Sequence, residues 1–182
     1  LRESSKSLME PKIAEIQISS KVTQVETTLA MYSRAASKSK KGALLLSVVG
    51  GKLSEGINFA DDLCRCVAVV GLPFADRSDP LLQEQLKLVA SATDSTSSKN
   101  AASEYYRSLC LRAVNQSVGR AIRHAKDWAT IVLMDARYPS DEAIARGLPS
   151  WLTGSTPSWR TDSGNLEDVL RRTDTFFERR QR

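Results

Sequence analysis

The sequence predicts an α/β fold of three layers, with a mostly parallel central sheet. Three short apolar runs carry the strand half of that reading: "ALLLSVV" (43–49), "CRCVAVVGLP" (64–73) and "WATIVLMD" (128–135). Each is bounded by turn or polar residues, as suits a strand buried on both faces. Longer segments with apolar residues every three or four positions lie around them, the spacing of helices laid on a sheet. Strands alternating with helices at these lengths imply parallel pairing.

Taken in order, "KSLMEPK" (6–12) reads as a short strand ended by Pro11. "SSKVTQVETTLAMYSRAA" (19–36) carries Val22, Val25, Leu29 and Tyr32 on one face of a helix, with Ser19 or Ser20 as N-cap. A polar connector, "SKSKKG" (37–42), leads to the first aliphatic run. "DPLLQEQLKLVA" (79–90) predicts a helix with Asp79 as N-cap and Pro80 at its first position. The Ser-, Thr- and Ala-rich stretch 91–103 reads as a mobile surface insertion. A long helix is predicted over 104–127, and closing helices over 141–152 and 165–180. The division expected is a main domain over 1–152, with the insertion at 91–103, and a helical extension over 153–182.

Composition narrows the function classes. A chain of 182 residues suffices for one domain with a sizeable core. No apolar run approaches the roughly 18 residues of a membrane span, and the start lacks a signal-peptide pattern. The net charge of +5 suits a polyanionic partner but is common without one. Three cysteines, Cys64, Cys66 and Cys110, make neither an even disulfide set nor a CxxC pair. A reducing compartment is the simplest reading.

Two stretches carry chemistry. "GGKLSEGINF" (50–59) follows the first aliphatic run, and Gly51 and Gly56 have the glycine spacing of a phosphate loop. Ile57 and Asn58 stand where that loop needs lysine and a hydroxyl, so it is not one of that kind. The second stretch is "NQSVGRAIRH" (115–124). On a continuous helix, Gln116, Gly119, Arg120 and Arg123 fall within a sector of roughly 100°. Leu111, Val114, Val118, Ala121 and Ile122 fall on the opposite side, toward a sheet. Gly119 costs about 1 kcal/mol relative to alanine within a helix, which suggests close approach of something large. A solvated basic face is the plain reading of the stripe. Arginine is also suited to phosphoryl groups, being always charged and offering two parallel hydrogen bonds. In an open α/β sheet, ligands gather at the carboxyl ends of the strands.

"SVVGGKLSEGINF" (47–59) and "AVNQSVGRAIRHAKDWATIVLMDARY" (113–138) together resemble motifs V and VI of superfamily 2 helicases. The resemblance is to the iron–sulfur, XPD-like DNA helicases and, among these, to the ChlR type associated with sister-chromatid cohesion. "LMEPK", "LAMYSR" and "LPSWL" extend it from about residue 8 to 152. It implies a second RecA-like domain lacking its first strand, with the phosphate loop, acidic box and four cluster-ligating cysteines in an absent first half. ATP and Mg²⁺ would be shared with that half, and a 4Fe–4S cluster belongs to the intact protein, not to these cysteines.

The roles implied follow residue by residue. Gln116, Arg120 and Arg123 would face ATP, Arg123 as arginine finger and Arg120 as γ-phosphate or ion-pair partner. Ser54, Glu55, Gly56, Asn58 and Gly119 would bind nucleotide or couple its state, and Lys52 with Ser54 would touch the DNA backbone. Many relatives have Asp where Asn58 stands, which removes any role needing a carboxylate. Expected partners are the first helicase domain, single-stranded and forked DNA, and cohesion and replication factors, in the nucleus and away from membranes. His124, Trp128 and Tyr138 read as structural. Two other classes fit the residues: a non-enzymatic nucleic-acid-binding module, and a docking module for other proteins.

Overall fold

The structure is a computed structural model that describes residues 22–38, 42–51, 59, 61–92, 98–124, 126–153 and 165–180. Its elements are α1 (Val22–Lys38), a short 3-10 turn (Asp61–Leu63), β1 (Cys66–Val70), α2 (Pro80–Ser91), α3 (Ser98–Val118), β2 (Thr130–Met134), α4 (Arg137–Ser140), α5 (Glu142–Arg146), α6 (Ser150–Thr153) and α7 (Leu166–Arg180). The strand expected at 6–12, the cap at Ser19 or Ser20 and the loop 52–58 lie outside the described residues. No helix among the described residues is long and apolar enough to cross a membrane.

The expected mixed fold with parallel pairing is observed. β1 and β2 pair in parallel from Cys66↔Thr130 to Val70↔Met134. Parallel neighbours need a crossover connection, and α2 and α3 provide it. α2 begins as its sequence dictates: Pro80 supplies a pre-set φ, and the Asp79 carboxylate accepts from the Leu81 N–H at 2.8 Å. The hairpin of α2 and α3 is pinned at its open end by aromatic contacts. Phe74 stacks on Tyr106 at 5.1 Å between centroids, and the Tyr106 hydroxyl donates to the Ala75 carbonyl at 2.7 Å.

The core lies on one face of the sheet. Val67 and Val69 of β1 and Ile131 and Leu133 of β2 meet Cys110, Leu111, Val114 and Val118 of α3, with Tyr138, Ile144 and Leu148 closing the cluster. Val114 and Val118 are fully buried, and each such side chain contributes roughly 1.5–3 kcal/mol. Cys66, Ala68 and Val70 point to the other face, where Val70 remains 78% exposed. That corrects the reading of strands buried on both sides: among the described residues, helices cover one face.

Four further expectations change. The run 43–49 is extended with a single bridge at Leu44 rather than a buried strand, and Leu44, Leu46 and Val48 are exposed. Alternate side chains of an extended chain bury only against a covering layer, and the paired sheet here comprises β1 and β2 alone among the described residues. The insertion expected at 91–103 is helical from Ser98 onward, because α3 starts there. The single helix expected over 141–152 divides into α5 and α6. Gly147 ends α5 and Pro149 follows, a pairing that halts one helix before the next begins. The helix expected over 104–127 stops at Val118, with consequences for the site.

Candidate functional site

α3 presents its apolar side to the sheet as its periodicity requires. Leu111, Val114, Val118 and Ala121 are buried, while Arg112 and Gln116 are exposed on the opposite side. The helix then tightens and unwinds. Gly119 N–H still reaches the Asn115 carbonyl at 3.0 Å, but Arg120 and Ala121 bond three residues back, to Ser117 and Val118. Such i→i+3 bonds are how a final turn closes. A Cβ at Gly119 would stand 3.0 Å from the Asn115 carbonyl of its own turn. The crowding at this glycine is thus internal to the helix end.

The predicted stripe is therefore not a helical stripe. Gln116 sits on α3, Arg120 is half-buried in the turn, and Arg123 is exposed beyond it in irregular chain. The 123–127 segment is shaped by Asp127, whose carboxylate accepts from the Arg123 N–H at 3.2 Å and the Trp128 N–H at 2.9 Å. His124 is exposed and meets the Asp61 carboxylate at 3.1 Å through Nε2. Its Nδ1 accepts from the Lys126 N–H, which leaves Nε2 as the donor.

This segment lies at the amino ends of the strands. Arg65, just before β1, donates to Asp127 at 2.8 Å, and the Arg65 carbonyl accepts from the Thr130 N–H at 2.9 Å. The expectation of a site at the carboxyl ends does not hold for Arg123. Those ends are tied by the chain itself: Gly71 N–H to the Met134 carbonyl, the Tyr138 hydroxyl to the Gly71 carbonyl, and Arg137 paired with Asp135 at 2.7 Å. The hydrogen bonds from Arg137 hold the Asp135 carboxyl down at about 2. Burial pushes the Tyr138 hydroxyl up to about 12. Both stay in one state at neutral pH, as befits structural groups. Trp128 is likewise packed, edge-on to Phe176 and Phe177 of α7.

The described end of the 47–59 stretch does approach α3. Val49 and Gly50, with Leu109, Arg112, Ala113, Gln116 and Ser117, line a recess of about 120 Å³. Gly50 holds φ +79° there, a left-handed turn that glycine adopts without strain. Among the described residues, Gln116 is the one predicted ATP-facing residue lining the recess. Arg112, one turn before it, lies outside the 115–124 motif and so is not marked by it, although the four-residue step to Gln116 is a signal for it. Lys52, Ser54, Glu55, Gly56 and Asn58 lie outside the described residues.

Two donor sets bear on cofactors. Asp61, His124 and Asp127 bring ligand atoms within 4.8 Å of one another. They do not fit a divalent cation, since Asp127 is already committed to Arg65 and two backbone amides. The cysteines do not fit a four-thiolate cluster either: Cys110 is buried in the core, whereas Cys64 and Cys66 lie at the start of β1. Burial raises the pKa of all three thiols, Cys110 to about 11.

Comparison with known proteins decides the family. A family model described as Helicase C-terminal domain matches residues 1–155. The chain belongs to that family. Its relatives place this helicase C-terminal domain in the ChlR-type, XPD-like branch. An ATP-dependent DNA helicase DDX11 of Danio rerio is 39% identical over all of the chain and 20% of its own length. ATP-dependent DNA helicases CHL1 of Scheffersomyces stipitis and chl-1 of Caenorhabditis elegans are 42% and 44% identical over 85% and 81% of the chain. These two matches cover 19% and 16% of the relatives. The helicase C-terminal domain described here thus spans about a fifth of the length of the curated relatives it matches. The Danio rerio match also takes in 153–182, beyond the resemblance read from the sequence.

Proposed function

We propose that this chain is the second motor domain of an ATP-dependent 5′→3′ DNA helicase. It would supply a coupling loop and an arginine finger to ATP bound mainly by the first domain. The observation that carries the reading is the recess in which the Val49–Gly50 turn meets the exposed Gln116 face of α3. It sits between the two stretches whose joint presence marks the family. The motor reading draws on this junction and on the relatives' helicase names, not on a common helical stripe.

In this reading Arg123 reaches the γ-phosphate when the two domains close, and its planar fork stabilises charge on the transferring phosphoryl group. Arg120 holds either the γ-phosphate or an acidic partner nearby. Gln116 orients water or the terminal phosphate without adding charge. Gly119 lets the chain turn away from α3 between them. Ser54, Glu55, Gly56 and Asn58 sense the nucleotide, and Lys52 with Ser54 grips the DNA backbone, a contact that positions without reading sequence. Residues of the first domain would hold Mg²⁺, which neutralises phosphate charge when bound, and would carry the iron–sulfur cluster. Alternating closure and release would step the protein along one strand in the nucleus, on single-stranded and forked DNA, alongside cohesion and replication factors. The chain without its first domain is expected to be inactive.

The test is Arg123→Ala in the intact helicase. ATP turnover should fall by about 10³-fold or more, the range of known arginine fingers, with ATP binding largely kept. Unchanged turnover would remove the finger assignment.

A further inference from the structure

One buried ion pair has no part in the roles above. The Asp127 side chain is wholly shielded from solvent, and that of Arg65 is 20% exposed. Both Asp127 oxygens are engaged: Oδ1 accepts from Arg65 Nη1 and from the Trp128 N–H, and Oδ2 accepts from the Arg123 N–H. Arg65 also donates to the Trp128 carbonyl at 3.0 Å and to Asp62 at 3.1 Å, and its guanidinium lies 4.4 Å over the Trp128 ring. Burial alone would raise the Asp127 pKa. The hydrogen bonds from Arg123, Trp128 and Arg65 outweigh it and hold the carboxyl below its ordinary value.

A buried ion pair is a poor device for stability alone, since apolar residues of similar volume often serve as well or better. What this pair adds is geometric definition. One oxygen fixes the amide of Arg123, and the other fixes Arg65, the residue just before β1. His124 repeats the connection through Asp61. Two successive residues, Arg123 and His124, are thereby fastened directly or through Asp127 to the 61–65 segment, which follows the 47–59 stretch.

We propose that Asp127, held by Arg65, is a positioning residue for Arg123: it sets the backbone from which that guanidinium projects toward the phosphoryl group. This rests on the reading of Arg123 as the ATP-facing arginine. Asparagine at 127 keeps one acceptor oxygen and turns the other into a donor. It can therefore satisfy Trp128 or Arg123, but no longer both along with Arg65. A displacement of about 1 Å at a reacting group costs on the order of 10²-fold in rate.

The experiment measures binding of ADP, alone and with aluminium fluoride as a mimic of the transferring phosphoryl group, to the intact helicase and its variants. Asp127→Asn should weaken the fluoride complex about 10- to 100-fold and leave ADP alone within about twofold, because the lost contact belongs to the transition state. The double variant Asp127→Asn/Arg123→Ala should bind the fluoride complex no more weakly than Arg123→Ala does. That non-additivity is the sign of one residue acting through another. Equal weakening of both ligands, weakening of neither, or an additive double variant overturns the proposal. If Arg123→Ala itself leaves the fluoride complex unchanged, the finger reading fails first and is seen to fail separately. Should Asp127→Asn not fold, Arg65→Gln, which removes the cation from the pair, is read by the same outcomes.

Discussion

Gln116 and Arg123 share a helical face in the sequence and different local structures in the fold. The apolar spacing that predicted a continuous helix is real, since Ala121 is buried beyond the helix end. It misleads because a tight turn can bury the same residues. α3 closes at Val118 in a turn where Arg120 and Ala121 bond three residues back, and the carboxylate at 127, not a continued helix, then holds the Arg123 amide. Gly147 is a second case that periodicity does not reveal. A Cβ there would collide with the Leu111 side chain of α3, and the Gly147 carbonyl accepts from the Asn115 amide at 3.0 Å. Gly147→Ala should therefore destabilise the protein by about 1–3 kcal/mol, the usual cost of overpacking. Thermal unfolding would show it as a lowered Tm, and an unchanged Tm would mean that Leu111 yields without cost.

Among the elements, those with chemistry at their ends were the most legible. Asp79 and Pro80 fixed the start of α2, and Asn165, whose side chain accepts from the Asp168 N–H at 3.0 Å, opens α7. Asp79→Ala should cost about 1 kcal/mol, read as a downward shift in Tm, with Asp79→Ser restoring most of it. Strands were less legible than helices. The apolar runs at 64–73 and 128–135 pair as expected, but the run at 43–49, equally aliphatic, shows among the described residues a single bridge at Leu44 and no place in the β1–β2 sheet. Hydrophobicity marks a segment that some layer covers. It does not say which layer.

At the scale of the whole molecule, family membership was legible because two motifs occur together, and the match over 1–155 bears it out. The geometry of the site was less so, since the stripe inferred from helical spacing dissolves at Val118. Charge separates the motor from the binding module. A net +5 spread over 182 residues should give the chain alone only weak affinity for single-stranded DNA. Binding measured across a salt series should stay weak and recover when the first domain and nucleotide are supplied. Tight binding with a steep salt slope would instead favour the stand-alone module.

Trp128 touches both subjects of this architecture. One face of its indole lies under the Arg65 guanidinium and its edges meet Phe176 and Phe177, with Arg180 at 5.9 Å. The final helix is thus joined, through Trp128, to the Arg65–Asp127 pair. An intrinsic fluorophore at this junction, read with the other two tryptophans of the chain replaced by phenylalanine, should shift in emission colour with any slippage between tail and turn, without a label being attached.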